Sequence, residues 1–384
     1  MKRPFFLHAS IVVAFAFGAS TPTPLYPTYQ DVWGFSTATA TAIFAVYALA
    51  VLATFLVLGS LSDHVGRRPV LLAGLALHAV AMALFALANG VGMLLAARIL
   101  QGLATGPTVA AAGAGMLDVD RERGTLVNGF APTLGTATGS LVAGLLVAHL
   151  PAPRRLVFVL VAAVLVLQLG AVLRMPESAK PLPGALASLR PALAVPPRLR
   201  GPFLHAIPCL VGAWALPGFY GALGPALVRV VAGSTSSALA GLALFMLAAG
   251  AVLAALFLRA LDTRRLIRLG AVLLAGGVGV VLLAVRARAP VAFFLGSALA
   301  GAGFGASFQG ALRSVLGLAA PHERAGVLSV VYLVCYLATG LLALLAGLLV
   351  VHGGGLEVTA RRFGIGVIAL EALALASSLG RRAR

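Results

Sequence analysis

The chain has 384 residues, 61% of them hydrophobic and only 10% charged, with a mean hydropathy of +1.05. Soluble domains carry about 25% charged residues, so the composition excludes an ordinary soluble protein and points to the membrane. A net charge of +18 would suggest a nucleic-acid partner if it formed a polar surface, but here it is scattered between long apolar runs.

Twelve runs supply the ~20 largely apolar residues that a bilayer-spanning helix needs. They are residues 5–29, 36–58, 70–89, 91–117, 125–149, 155–175, 203–227, 236–258, 266–285, 290–315, 325–350 and 359–379. Barrel strands would be short and alternating. The predicted class is therefore an all-α integral membrane protein with twelve transmembrane helices. With the N-terminus inside, Arg154, Arg155, Arg229, Arg286, Arg288, Arg361 and Arg362 fall outside and Arg98 falls within a span. The other 20 of the 28 basic residues fall on the inner face. This bias follows the positive-inside rule, predicts cytoplasmic termini and argues against nucleic acid.

The first span opens with Met1-Lys2-Arg3 and imitates a secretory signal. Its apolar character continues to Tyr29, and cleavage would leave the two termini on opposite sides, so an uncleaved first helix is expected. Near its outer end stand Pro22, Pro24 and Pro27, with Tyr26 among them. Prolines free backbone carbonyls, which are tolerated in a membrane only where a neighbouring helix or a cavity satisfies them. The segment reads either as a bent, cavity-lining helix or as a distorted end in the aromatic belt.

Between the second and third spans runs Gly59-Ser60-Leu61-Ser62-Asp63-His64-Val65-Gly66-Arg67-Arg68-Pro69. This segment resembles the loop between helices 2 and 3 of the major facilitator superfamily, a pattern of roughly G-x-L-[AS]-D-x-x-G-R-[RK]. Gly59, Leu61, Asp63, Gly66, Arg67 and Arg68 occupy the matching positions. The resemblance covers nearly the whole chain and is of the twelve-helix bacterial, efflux-like type. It implies two six-helix bundles, alternating access and a gating latch at this turn. Arg67 can bridge Asp63 to Asp118 at the end of the fourth span. Asp63 can meet the start of the eleventh span at residues 321–326, beside Arg324. The plain alternative is a loop-orienting charge cluster.

His78 in the third span reads either as a buried structural histidine or as a functional titratable group. In the fourth, Arg98-Ile99-Leu100-Gln101-Gly102 resembles the superfamily's Arg-x-x-Gln-Gly element. A buried arginine costs at least ~2.5 kcal/mol on insertion scales. Arg98 and Gln101 are expected either to face the cavity, tied to substrate or proton, or to let the guanidinium snorkel to the interface. The fifth span carries Gly135, Gly139 and Gly144 in a run resembling the antiporter element, with Ser140 in place of its proline. Small residues at this spacing also serve close helix packing.

Residues 176–202 are Pro-rich and basic and read as a cytoplasmic linker between an N-terminal bundle (1–175) and a C-terminal bundle (203–384). Asp120–Gly124 and 321–326 form a faint repeat at an offset of 201 residues, as parallel duplicated halves would give. The seventh span mirrors the first, with Trp214, Pro217 and Tyr220 as hinge and cavity candidates. The tenth adds Gly301, Gly303, Gly305 and Gln309. Glu371 is a lone mid-span acid in the twelfth helix. It reads either as a proton-coupling site or as a paired, neutral structural residue, and last helices in this superfamily usually pack at the periphery. Asn128 and Gln168 are expected to hydrogen-bond between helices.

No metal pair, clustered acids, nucleophile elbow or phosphate-binding Gly-rich loop is present, so neither an enzyme nor an ATP-driven pump is expected. Cys209 and Cys335 fall within spans, and no cofactor is implied. The spans are rich in Ala, Leu, Gly and Val, which suits an amphipathic cargo better than a sugar. The expectation is a monomeric, proton-coupled efflux carrier in a bacterial cytoplasmic membrane, with a small-molecule substrate, protons and lipids as partners. A sugar or metabolite uptake or export permease is the alternative.

Overall fold

The computed structural model describes residues 2–191, 193–320 and 322–380. Pro321, Arg381, Arg382 and Arg384, used in the topology and repeat readings, lie outside the described residues. Among the described residues every regular element is helical. The helices are α1 (Lys2–Ser20), α2 (Tyr26–Trp33), α3 (Thr37–Leu58), α4 (Leu61–Val65), α5 (Arg67–Leu87), α6 (Val91–Val119), α7 (Arg121–His149) and α8 (Leu156–Leu173). They continue as α9 (Pro197–Ala232), α10 (Ser237–Phe257), α11 (Thr263–Ala287), α12 (Pro290–Leu316), α13 (Arg324–His352) and α14 (Gly355–Gly380). A 3-10 turn, Thr23–Leu25, joins α1 to α2, so the first predicted span is a broken helix.

Ten helical segments among the described residues are long and apolar enough to cross a membrane. The other two long helices, α6 and α14, have 29 and 26 residues. Arg98, Gln101 and Asp118 dilute the first, and Glu357, Arg361, Arg362 and Glu371 dilute the second. Twelve long helical segments result, and the chain is a multi-pass membrane protein.

By packing, the chain divides into two units, residues 1–33 with 46–191, and residues 34–45 with 192–384. The start of α3 thus groups with the second unit, although the sequence division counts it in the first half. Two glycines make room for it. A Cβ at Gly347 would strike Thr41, and one at Gly221 would strike the Phe44 ring. The segment expected to be linker is shorter than predicted, because α9 begins at Pro197. Proline is favoured at a first helical position, where its missing N–H has no partner to lose.

Small residues set the helix spacing inside each unit. Gly135 and Gly139 of α7 lie on the Val13 and Phe17 carbonyls of α1, one helical turn apart on both helices. Gly144 is buried on the same helix. In the second unit, Gly301 and Gly305 of α12 meet α10 at Leu247 and Ala251, while Gly303 meets α11 at Leu274. These glycines are filled from the neighbouring helix, as close backbone approach requires.

Candidate functional site: a charged turn and a buried guanidinium

The charged turn is built from the end of α3 to the start of α5. The Gly59 N–H still bonds the Phe55 carbonyl at 3.0 Å, and α4 then makes one short turn. Gly66 follows with φ +97°, a region that favours glycine. A Cβ there would also run into the Glu177 carboxylate. Position 66 is therefore restricted to glycine twice over.

Arg67 is 8% exposed and stands between two acids. Its Nη1 pairs with Asp63 Oδ1 and donates to Ser62 Oγ at 2.8 Å, and its Nε lies 3.2 Å from Asp118 Oδ2. Arg68 donates from Nη2 to the Leu173 carbonyl at 2.5 Å. Glu177 completes the cluster and was not singled out in the sequence. Its two carboxylate oxygens accept the backbone N–H groups of Arg67 and Arg68, each at 2.9 Å. These N–H groups open α5 and have no partner within the helix, and a negative charge is favoured there. Burial pushes the Glu177 carboxyl up, but the N–H groups of Ala179, Arg68, Arg67 and Ser178 outweigh it and hold the group below its ordinary value. The segment after α8 is tied along the turn, with Leu182 N–H on the Asp63 carbonyl at 3.0 Å. Arg324, in the second unit, donates from Nε to its own neighbour, the Ala319 carbonyl, at 3.4 Å.

The second constellation lies in the interior of the first unit. Proline at position 22 removes the N–H that would bond the Gly18 carbonyl, and the turn that follows removes the partner of Ala19. Both freed carbonyls are taken by α6. Gln101 Nε2 donates to Gly18 O at 2.9 Å, and Arg98 Nη1 donates to Ala19 O at 2.8 Å. Arg98 Nη1 also reaches Gln101 Oε1 at 2.7 Å, while Nη2 and Nε meet the Tyr26 hydroxyl at 2.6 and 3.2 Å. The rings of Tyr47, Phe85 and Tyr26 lie 5.2, 5.6 and 5.8 Å from the guanidinium carbon, within cation–π range.

Arg98 is fully buried, so it does not snorkel. Four internal hydrogen bonds hold the guanidinium in place. Among the described residues no carboxylate pairs with it, and arginine does not lose its proton. The unit thus holds a full positive charge on neutral oxygens and ring faces. His78 joins this network. Gln101 Nε2 also approaches His78 Nε2, at 3.2 Å. Since the amide donates, His78 Nε2 accepts, which assigns the proton to Nδ1. That Nδ1 is buried without a partner among the described residues.

In the second unit Trp214 lies among Phe304, Phe308, Tyr332 and Tyr336, with ring centroids 5.3 to 6.3 Å away. Pro217 lies inside α9, which runs unbroken through it. Thr339 Oγ1 donates to the Trp214 carbonyl beside it, at 2.9 Å. Tyr220 is 2% exposed and bonded to Ser297 Oγ at 2.7 Å, so it is a packed residue rather than a cavity wall. Gln309 accepts from Arg313 of its own helix at 3.4 Å. Glu371 is not peripheral. It is fully buried, accepts from Ser307 Oγ of α12 at 3.2 Å and lies over Gly212 of α9. The missing Cβ at Gly212 leaves the space the carboxyl fills.

A family model described as Major Facilitator Superfamily matches residues 9–343. Two curated relatives match short stretches. The probable transporter AQR1 of Saccharomyces cerevisiae is 35% identical over 96 residues, and the multidrug transporter AQR1 of Candida glabrata 39% over 95. These matches cover 24% and 23% of this chain and 16% of each relative's length. Among solved structures, a bacterial homologue of the human lysosomal transporter Spinster aligns at TM-score 0.75 and 14% identity, covering 98% of this chain and 97% of that one. The nucleoside transporter NupG aligns at 0.73 and 15%, covering 97% and 99%. The human organic anion transporter MFSD10 aligns at 0.68 and 19%, with the same coverage of 97% and 99%. At these identities the structural likeness shows the fold alone.

Proposed function

The chain belongs to the Major Facilitator Superfamily, and we propose that it is a proton-coupled carrier that expels a small amphipathic molecule by alternating access. The observation that carries this reading is the buried guanidinium of Arg98. A cation held on neutral partners inside a bundle raises the local potential. It therefore favours release of a proton from any acidic substrate or group that comes near it. Tyr26, Gln101 and His78 are the groups through which a change at Arg98 reaches α2, α1 and α5.

Two further features support the reading. The aromatic group around Trp214 gives the second unit a surface suited to flat or greasy molecules rather than to sugars, which need many hydrogen-bonding partners to replace water. The partial likeness to a multidrug transporter points the same way. In this proposal the termini and the charged turn lie on the cytoplasmic side. The Asp63–Arg67–Asp118 cluster is the latch whose making and breaking accompanies the cycle, and Glu177 holds the start of α5 in place.

The test is uptake of a labelled amphipathic cation or anion into inverted membrane vesicles, with and without an imposed pH gradient. Accumulation that follows an acidic lumen supports proton-coupled efflux. Gradient-independent equilibration, or sugar transport at higher rate, would replace it.

A further inference from the structure

Outside these clusters the second unit contains a cavity of about 390 Å³. It opens where α9 and α11 begin and where α12 and α14 approach their ends, so it lies at one end of the helices. Its lining mixes apolar residues, among them Ile267, Leu318 and Ala374, with Arg264, Arg313, His205 and the Ser314 hydroxyl.

Arg313 is held in place. Its Nη1 donates to the Arg259 and Leu261 carbonyls at 3.1 and 3.3 Å, and its Nη2 to Gln309 Oε1 at 3.4 Å. All three partners are neutral. Among the described residues neither Arg264 nor Arg313 pairs with a carboxylate. The acid next along the chain, Asp262, is already engaged. It accepts the Arg265 N–H at 2.9 Å and lies 3.1 Å from Arg265 Nε. Two uncompensated guanidiniums therefore line one concavity, one of them fixed by the fold, together with apolar side chains.

A multi-pass protein presents such an end to the headgroup layer, where basic pockets between helices bind anionic headgroups. Guanidinium groups suit phosphate because their paired N–H groups match its oxygens. We propose that this pocket seats the phosphate of an anionic membrane lipid, with the acyl chains lying against its apolar side chains. Free phosphate is the other source of the same chemistry, and the experiment separates the two.

The full chain, purified in a neutral detergent, is titrated with phosphatidylglycerol, with phosphatidylcholine and with inorganic phosphate, and bound lipid is counted by native mass spectrometry. The expected result is saturable retention of phosphatidylglycerol, at least fivefold tighter than phosphatidylcholine, and little competition from inorganic phosphate. Removing one interfacial guanidinium by Arg264→Gln should weaken retention about fivefold. Arg265→Gln, which alters the same helical turn at a residue already paired with Asp262, should leave it unchanged. Equal retention of the two lipids by the unaltered protein would overturn the site without any variant. Equal losses in Arg264→Gln and Arg265→Gln would reduce it to general surface charge. Full competition by inorganic phosphate would replace the lipid with a soluble anion.

Discussion

Arg98 in the first unit and Glu371 in the second are both fully buried, ionisable and free of a charged partner among the described residues, yet their surroundings differ sharply. Around the arginine stand four hydrogen bonds and three aromatic rings. Glu371 receives one hydroxyl, and its Oε1 has no partner among the described residues. The difference follows from chemistry. An acid can escape the cost of burial by holding a proton, whereas a guanidinium cannot. Interior space that solvates a charge this thoroughly is organised for a charge that persists. This contrast is why the coupling role is proposed for α6 and not for α14.

The largest effect is expected at Arg98. Arg98→Ala should abolish gradient-driven accumulation in vesicles. It also strands acceptors at Ala19 and Gln101, each costing about 1–3 kcal/mol when buried and unsatisfied, so the melting temperature in detergent should fall. Arg98→Lys should rescue folding better than transport, because an ammonium cannot reproduce the fork that reaches Tyr26, Gln101 and Ala19 together. Transport restored in full by lysine would show that charge alone matters.

Next in size is Gly66→Ala. Alanine must adopt a positive φ and displace the Glu177 carboxylate, so a loss beyond about 1 kcal/mol is expected. Glu177→Gln probes the same contact through pH. The folded carboxyl titrates below its ordinary value of 4.5. Its contribution is therefore complete above that value and is lost as pH falls through the lower, folded value. The unaltered protein should lose stability on acidification in that window, and Glu177→Gln should lose less. Melting curves from neutral to acidic pH check this, and identical acid slopes would remove Glu177 from the account.

Smaller effects are expected at the latch. Asp63→Asn and Arg67→Ala should each slow transport without unfolding the protein. The double variant should be less than additive, because the two groups belong to one network. Strict additivity would mean that they act separately.

The charged turn shows what a sequence can carry. Gly59, Asp63, Gly66 and Arg67 lie within one short segment, whose resemblance to the superfamily loop implies their arrangement, and Asp118 stands at the expected end of the fourth span. Glu177 was invisible for the opposite reason. It lies 110 residues from Arg67, and nothing local distinguishes it from other acids in a polar linker. Pro22 announced freed carbonyls, but the donors that take them come from α6, whose rotation about its axis the sequence does not state. The partner of His78 was hidden for the same reason, because it is the amide of Gln101 on another helix. Tyr220 erred the other way. Its place beside Pro217 suggested a cavity, whereas Ser297 holds it in the packed interior. The surroundings of Glu371 were hidden too, since the space it fills is made by Gly212, an absence of side chain on a distant helix.

Accumulation against an imposed pH gradient, in vesicles carrying Arg98→Ala or Glu371→Gln at matched expression, tests the central claim most directly. Glutamine fits the space over Gly212 and can still accept from Ser307, so Glu371→Gln should keep most of the pH-driven accumulation. Arg98→Ala should keep none. If Glu371→Gln eliminates the pH dependence while Arg98→Ala preserves it, coupling belongs to the second unit and the account is contradicted.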